Sequence, residues 1–487
     1  MGKVVKTWAI VSFFLPALSL TTLFTTGCSE TPNLFHSVPL TSKYFKMWSQ
    51  DTISGFSDEV EADPTLLDEF NSLDFTSQNG IKYLKLVKNA NFKREVLEGW
   101  DVIQINFGNI EVLNDTSFNT GYETFAEYDL SSLQYLDFGT SKWANEQTRG
   151  SLNATFKGCD LSNLISLNMK NIVCSVENAD IAFNHLHTAF CTFNEAILTN
   201  LTSLDLSGAR FISDNVAVHE SVGVNKGIFV ADGTFLGIDA PKLKNIDLTN
   251  TIFAAKNLGA GNLLDVPIYT ACQTFASSKL PELEKIIFKN TIFAVEEMNE
   301  EALPIYTMSG TFANIEFDSL ARINLSGAIL VAEHMGQVEA WSASGAFAGS
   351  TFPLITELDL SQTYFAASEM SSYGNVYTAH QTFMNATFPN LTTLNLKNKD
   401  TFWATNMTSH TIYSASHTFD GFIIDESKLE EILLPDDYVG TGWDNTFSSH
   451  TVLDNKVTIY SSTTCPTWFN NNWWLNANWR AYPTSEQ

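Results

Sequence analysis

The sequence predicts a mainly β solenoid, in which short parallel strands stack one per turn with irregular or short helical segments between them. The first observation is a short motif that occurs seven times and that we call the phrase. In most copies it consists of an aromatic residue, an Ala two positions later and a Thr-Phe pair that ends the phrase. Its Phe residues are Phe193, Phe235, Phe275, Phe312, Phe347, Phe383 and Phe419. These Phe residues are separated by 42, 40, 37, 35, 36 and 36 positions. Such regular spacing indicates units that bury their apolar faces only against their neighbours. The second observation is a Leu-x-x-Leu-Asp-Leu block after each Phe, whose last three residues alternate with the period of a half-buried strand.

Further apolar positions complete the repeat unit. Five residues after the block, most copies carry another large side chain, at Phe211, Phe253, Phe293, Leu330 and Phe365. Stacking of the units predicts a core row that contains Leu206, Leu248, Leu325, Leu360 and Leu396. We predict a repeat region over 68–450, a linker and N-terminal cap over 29–67, and a Trp-rich C-terminal cap over 451–487.

An aromatic position lies six residues before the Phe of each copy. Its members are His187, Phe229, Tyr269, Tyr306, Trp341, Tyr377 and Tyr413. On a strand, positions six apart share a face, whereas on a helix they lie about 120° apart. We favour burial of this row beside the Phe row. The alternative is an exposed row that stacks against a glycan or contacts a protein partner, which would make Tyr269, Tyr306, Trp341, Tyr377 and Tyr413 binding residues.

The phrase resembles a known family. Gly345-Ala346-Phe347-Ala348-Gly349-Ser350, followed by Ile355-x-x-Leu358-Asp359-Leu360, is similar to the BspA-type leucine-rich repeat of bacterial cell-surface proteins. The resemblance covers roughly residues 70–450. It implies a leucine-rich-repeat-like solenoid that serves as an adhesin for a protein or extracellular-matrix partner. The chain departs from the family in two ways, because Thr usually replaces the Ala before the Phe and because each unit is longer.

The extra length predicts a variable segment on one side of every repeat. These segments are Ser213–Lys226, Lys256–Val266, Val295–Leu303, Ala332–Glu339 and Ala367–Asn375. Variable insertions on one face commonly form the binding face of a repeat protein. The third segment is acidic, with Glu296, Glu297, Glu300 and Glu301, so we expect a basic partner there to bind in a salt-sensitive way.

The first 28 residues predict export. Lys3 and Lys6 precede an apolar run, and the segment closes on Gly27-Cys28. This ending resembles a bacterial lipoprotein processing site, which implies that Cys28 carries the lipid. An ordinary cleaved signal peptide is the alternative. No other run is long enough for a membrane helix, so we predict a protein held by lipid at the cell surface, on the outer membrane or the outer face of the cell membrane.

Composition and motifs argue against several function classes. With 54 acidic and 27 basic residues, a nucleic-acid partner is not expected. His185 and His187 form an incomplete metal pattern, and His187 is in register with the aromatic row. The recurring Asp of the block could line up to bind calcium, but Asn occurs at the same position, so side-chain hydrogen bonding along the row is the better explanation. No catalytic motif is found, so no enzyme and no cofactor are predicted. We predict a monomeric binding module for an extracellular or host protein, with glycan binding as the alternative.

Overall fold

A computed structural model gives the structure of the chain. It describes residues 45–48, 82–86, 102–106, 111–112, 125–145, 150–177, 180–181, 185–215, 217–218, 227–256, 268–296, 305–333, 340–368, 376–379, 381–397, 402–405, 412–414, 418–425, 427–434, 457–460 and 478–481. Residues 1–28, with Cys28, lie outside the described residues, as does most of each predicted insertion. Within the described part of the chain, no helix is long and apolar enough to cross a membrane.

The strands of the Leu-x-x-Leu-Asp-Leu blocks form what we call the Leu sheet. Its first part is Phe45–Trp48, Lys82–Leu86, Val102–Asn106, Tyr135–Asp137, Ser166–Asn168, Ser203–Asp205, Asn245–Asp247, Lys285–Ile287 and Arg322–Asn324. Its second part is Glu357–Asp359, Thr393–Asn395, Glu431–Leu433, Thr458–Tyr460 and Asn478–Arg480. All neighbouring pairs are parallel except the first, in which Phe45–Trp48 runs antiparallel to Lys82–Leu86.

The large side chain after each block lies on a second parallel sheet, the Phe sheet. Its strands are Glu111–Val112, Lys142–Asn145, Val173–Glu177, Arg210–Asp214, Ile252–Lys256, Ile292–Glu296, Ile329–Glu333, Tyr364–Ser368 and Phe402–Thr405. Equivalent residues pair in register along the sheet, since Phe211 pairs with Phe253, Phe253 with Phe293 and Phe293 with Leu330.

The aromatic position lies on a third parallel sheet, the aromatic sheet. Its strands are Gly150–Ser151, His185–Thr188, Gly227–Val230, Ile268–Thr270, Ile305–Thr307, Ala340–Ser342, Val376–Thr378 and Ile412–Ser414. The remaining described strands form two separate two-stranded parallel sheets. In one, Asp180–Ile181 pairs with Ala217–Val218, and in the other, Thr387–Phe388 pairs with Ile423–Ile424.

The chain is therefore mainly β, with parallel strands stacked in open sheets, an arrangement compatible with a solenoid-like repeat. The prediction of one strand per repeat was wrong, because a full repeat contributes three. The described residues between the strands form turns and loops without a helix. In the sequence, apolar and polar residues alternate clearly only in the Leu-x-x-Leu-Asp-Leu block. The other two strands of each repeat have apolar and small residues on both faces, so the two-residue period of a strand is not visible in them.

The core is a continuous set of side chains between the sheets. Leu206, Leu248, Leu325, Leu360 and Leu396 are buried, as predicted, with at most 5% exposure. The Phe of the phrase forms a stack in the same core, and the rings from Phe193 to Phe419 follow each other at centroid distances of 4.9 to 5.6 Å. Each buried Leu or Phe contributes roughly 1.5–3 kcal/mol by leaving water.

The turn between the aromatic position and the Phe explains the small residue and the Thr of the phrase. Ala231 and Gly233 have φ of 53° and 60°, a left-handed conformation that large side chains disfavour. The buried hydroxyl of Thr234 donates to the carbonyl oxygens of Ala189 and Ala231, at 2.8 Å in both cases. Thr192, Thr274, Thr311, Thr382 and Thr418 bind the equivalent carbonyl one repeat earlier. Thr in place of Ala therefore satisfies a buried carbonyl in six of the seven strong copies, and the exception is the copy with Ala346.

The Leu sheet is interrupted at one place. Arg322–Asn324 and Glu357–Asp359 lie in consecutive repeats but do not pair, whereas the Phe sheet and the aromatic sheet continue across the same junction. Ile323 is only half-buried, while its equivalents Ile286 and Leu358 are 0% and 2% exposed. The Leu sheet is thus divided into two parts that the other sheets hold together.

Strands on either side of the strong repeats lengthen the Leu sheet. Phe45–Trp48 lies within the predicted N-terminal cap, and Thr458–Tyr460 and Asn478–Arg480 lie within the predicted C-terminal cap. The boundaries at 28, 67 and 450 remain predictions.

Candidate binding surfaces

The aromatic row lies on the outside of the aromatic sheet. Ile228 and Val230 are fully buried, whereas Phe229 between them is half-buried, so its ring points away from the core. Tyr269 and Tyr306 are also half-buried, and none of the three rings belongs to the core cluster. The favoured assignment of these rings to the core was therefore wrong. The left-handed turn after the strand changes the direction of the chain, so the even spacing to the Phe did not place both rings on one face.

The geometry of this row determines what it presents to solvent. The ring centroids of Phe229 and Tyr269 are 5.1 Å apart, and the angle between the ring planes is 6°. For Tyr269 and Tyr306 the centroid distance is 5.2 Å and the interplanar angle is 7°. Neighbouring rings therefore cover each other's faces and leave edges and hydroxyl groups toward the outside. The backbones of Trp341, Tyr377 and Tyr413 continue in register with Tyr306, while their side chains lie outside the described part.

Side chains from the following turn pack against this row. Phe190 stacks on His187 at 4.4 Å and reaches Phe229 at 5.0 Å. His187 Nδ1 is 2.8 Å from Asn153 Nδ2. That contact gives His187 a hydrogen-bonding partner without a metal, and within the described residues no group of three or more His, Cys, Asp or Glu side chains is placed to hold a metal ion.

Asp232 occupies the same position one repeat later. Burial raises the pKa of its carboxyl to about 7, although the N–H of Gly233 opposes the shift. Burial also raises the pKa of Tyr269, and the nearby Tyr306, Cys272 and Asp232 add to that increase. This part of the row therefore contains a carboxyl group that loses its proton near neutral pH.

The predicted insertions begin at the ends of strands of the Phe sheet. Asp214, Lys256, Glu296 and Glu333 pair in register there, so the segments start at one edge of the sheet. Lys256 Nζ lies 3.8 Å from Asp214 Oδ2. The backbone of Glu296 ends its strand at this edge, whereas Glu297, Glu300 and Glu301 lie outside the described residues.

The Asp or Asn of each block has a structural role. Asp205 Oδ1 accepts a hydrogen bond from Ser207 N at 2.8 Å, and Asn324 Oδ1 accepts one from Ser326 N at 3.0 Å. Asp and Asn both accept this local turn bond, which explains why they interchange. Hydrogen bonding was the predicted explanation, but it acts mainly within each repeat. Only Asn168 Nδ2 donates along the row among the described blocks, to Asp137 Oδ1 at 3.0 Å.

A groove on the outside of the Leu sheet was not predicted. It is lined by Gln134, Asn163, Ile165, Asn200, Thr202 and Lys242 and has a volume of about 320 Å³. Gln134, Ile165 and Thr202 occupy variable positions inside their blocks, and Asn163, Asn200 and Lys242 each directly precede a block. Sequence reasoning treated both kinds of position as spacers, because the residues at these positions differ from copy to copy.

The chain matches no protein-family model, and no similar sequence is found among curated proteins.

Proposed function

We propose that the chain is an exported, lipid-anchored, leucine-rich-repeat-like solenoid of the BspA type that acts as a non-catalytic binding module for an extracellular protein. The observation that carries the proposal is the registration of equivalent residues across repeats. Phe229, Tyr269 and Tyr306 pair in register on the aromatic sheet, and their rings lie outside the core cluster. The strand ends from which the insertions start also pair in register. A surface of this kind can vary without disturbing the packing that holds it.

Charge supports a particular kind of partner. Residues 201–289 contain 9 acidic and 8 basic side chains, whereas residues 290–396 contain 11 acidic side chains and a single basic one, Arg322. A protein with a basic surface would therefore be attracted to the later repeats, and salt would weaken that attraction. Glu296 is at the beginning of this acidic stretch, where the third insertion starts.

The proposal is tested by measuring binding of the purified chain from residue 29 onward to extracellular-matrix and host-surface proteins, at low and high salt. Replacement of the five predicted insertions by Gly-Ser bridges should abolish binding and leave the melting transition nearly unchanged. If binding survives these replacements but is lost when Trp341 and Tyr377 are changed to Ala in a folded protein, the aromatic row is the binding site instead.

The predicted lipid anchor is tested separately. Replacement of Cys28 by Ser should release the protein from the membrane fraction and stop incorporation of labelled palmitate. A parent protein that never takes up label, together with a variant that stays membrane-bound, would disprove the anchor without affecting the binding proposal.

The geometry gives little support to a glycan stacked on the aromatic row. Sugars stack on the faces of aromatic rings, and the faces of Tyr269 are occupied by Phe229 on one side and Tyr306 on the other. The exposed edges and hydroxyl groups are better suited to the mixed contacts of a protein interface.

A further inference from the structure

The groove on the Leu sheet spans four consecutive repeats, and each of its two walls takes residues from three of them. One wall is formed by Gln134, Ile165 and Thr202, which precede the strands of their blocks, and the other by Asn163, Asn200 and Lys242. The wall residues are bonded from one repeat to the next, because Ile165 N donates to Gln134 O at 2.8 Å and Thr202 N donates to Ile165 O at 3.2 Å. The lining residues lie in the turns that precede the strands, and these backbone hydrogen bonds hold the turns of successive repeats together.

The second wall is ordered by side-chain hydrogen bonds. Asn163 Nδ2 donates to Ser131 O at 2.7 Å, and Asn200 Nδ2 donates to Ser162 O at 2.8 Å. Lys242 Nζ donates to Asn200 Oδ1 at 2.6 Å, which holds the ammonium group at the groove. A Lys has three donors, so two remain for a ligand, and Thr202 Oγ1 retains its capacity to accept. The groove thus offers fixed donors and acceptors together.

Apolar surface lies beside these polar groups. Ile165 is 39% exposed, and Tyr135, which follows Gln134 and pairs with Ser166, is 41% exposed. Tyr135 thus presents an exposed ring, whereas the ring of Tyr269 is covered on both faces by Phe229 and Tyr306. Tyr135 is not in the lining itself but directly follows the wall residue Gln134. An exposed ring at the margin of a groove with amides, a hydroxyl and one cation offers the two kinds of contact that a sugar requires, an apolar surface for its C–H groups and partners for its hydroxyls.

We propose that this groove is a carbohydrate subsite that holds one or two sugar units of an oligosaccharide against Tyr135 and Ile165, with Lys242 bound to a hydroxyl or carboxylate oxygen. Its volume of about 320 Å³ lies at the lower end of the range for small-molecule sites. Recognition of a peptide strand is disfavoured, because the wall backbone already bonds between repeats and leaves no open edge for strand addition. The inference is independent of the protein partner proposed above, since it concerns a different sheet.

The chain offers a matched pair of variants for the test. Lys428 Nζ donates to Asn390 Oδ1 in a later repeat, which reproduces the bond between Lys242 and Asn200 away from the groove. Lys428 also pairs with Asp425 at 3.5 Å and donates to Pro389 O at 3.1 Å. Lys428→Ala should therefore affect stability at least as much as Lys242→Ala, and only Lys242→Ala should affect the groove. Tyr135→Ala removes the exposed ring.

The experiment is isothermal titration of the purified chain from residue 29 onward with cellohexaose, xylohexaose, maltohexaose and hexagalacturonate. We expect at least one of these probes to bind. Lys242→Ala and Tyr135→Ala should each weaken that binding about tenfold, the loss of one good contact, while Lys428→Ala leaves it within about twofold. The proposal is overturned if no probe binds at millimolar concentration, if both Lys variants weaken binding equally, or if Tyr135→Ala has no effect. A requirement for hexagalacturonate would identify a carboxylate as the group bound by Lys242.

Discussion

The inner Phe row and the outer aromatic row have nearly the same geometry in different surroundings. The ring centroids of Phe235 and Phe275 are 5.0 Å apart, and those of Phe229 and Tyr269 are 5.1 Å apart. The angle between the ring planes is 6° in both pairs. Each residue of the first pair is 1% exposed, whereas both residues of the second pair are half-buried. Parallel pairing in register is enough to stack equivalent rings, whether or not water is excluded from them.

The difference between the rows is in what the sequence conserves among the copies. The inner row is Phe in all seven strong copies, whereas the outer row includes His187, Phe229, Tyr269 and Trp341. A buried ring must match the volume of its space, since packing in the core leaves no adjustable room. An outer ring needs only a flat side chain of suitable width, so its polar groups are free to differ.

The largest expected effect comes from placing a charge in the inner face of the Leu sheet. Leu360 is fully buried, so Leu360→Asp should lower the free energy of unfolding by about 5 kcal/mol or more, through lost packing and an unpaired carboxyl. Chemical denaturation monitored by circular dichroism measures the change. Glu357→Ala on the outer face of the same strand should change it by less than about 0.5 kcal/mol. Equal stability of Leu360→Asp and the parent would show that the inner face is misassigned.

The two rows are compared directly by truncating one ring in each. Phe275→Ala should cost about 3–5 kcal/mol, because it leaves a cavity between Phe235 and Phe312. Tyr269→Ala should cost about 1 kcal/mol, because it removes stacking at a half-buried position. Thermal and urea denaturation of both variants measures the difference. A similar loss for both would mean that the outer row is part of the core.

The hydroxyl of the buried Thr is tested by an isosteric change. Thr274 Oγ1 donates to Ala271 O at 2.9 Å and to Ala231 O at 3.1 Å, so Thr274→Val should cost about 1–2 kcal/mol by leaving buried carbonyls with fewer donors. Thr274→Ser keeps the hydroxyl and serves as the control in the same denaturation experiment. If the Val variant is as stable as the Ser variant, hydrogen bonding to the buried carbonyl oxygens does not explain why Thr occurs in the phrase.

The smallest expected effect depends on pH. The pKa of Asp232 is raised from 3.8 to about 7, so the folded state favours the protonated carboxyl. Its contribution to stability is full below pH 3.8 and is lost as pH rises through 7. Asp232→Asn should therefore melt like the parent at pH 4 and be more stable at pH 8, by on the order of 1–3 kcal/mol. Tyr269, Cys272 and Cys191 face this carboxyl, and burial raises the pKa of each of them, so they stay neutral at pH 8. A pH-independent difference between the two proteins would contradict the prediction.

The sequence contained enough information for the inner rows and too little for the outer ones. Leu206 and Phe275 are in the core as predicted, because regular repetition of large apolar residues identifies what stacks inside. The position of Tyr269 was missed because it depends on the left-handed turn at Ala271 and Gln273, whose φ values are 53° and 50°. Neither of these residues is a Gly, and the only signal of the turn was the Gly at the equivalent position of other copies, at Gly233, Gly310 and Gly345. The groove was missed because its walls are assembled from residues in four separate copies.

The hydrogen bonds that join the repeats also determine how the chain must fold. Thr311 and Ala271, which are bonded across one repeat, are 40 positions apart, and parallel strands of this kind gain nothing from a tight hairpin. Every contact between repeats therefore requires closure of a long loop, which slows folding. Meanwhile each unfinished stack ends in an open strand edge that fits any copy of the phrase, including one from another molecule. Addition of repeats in chain order from one end avoids that error, so folding during or directly after emergence of a single chain should give a higher yield than refolding at high concentration.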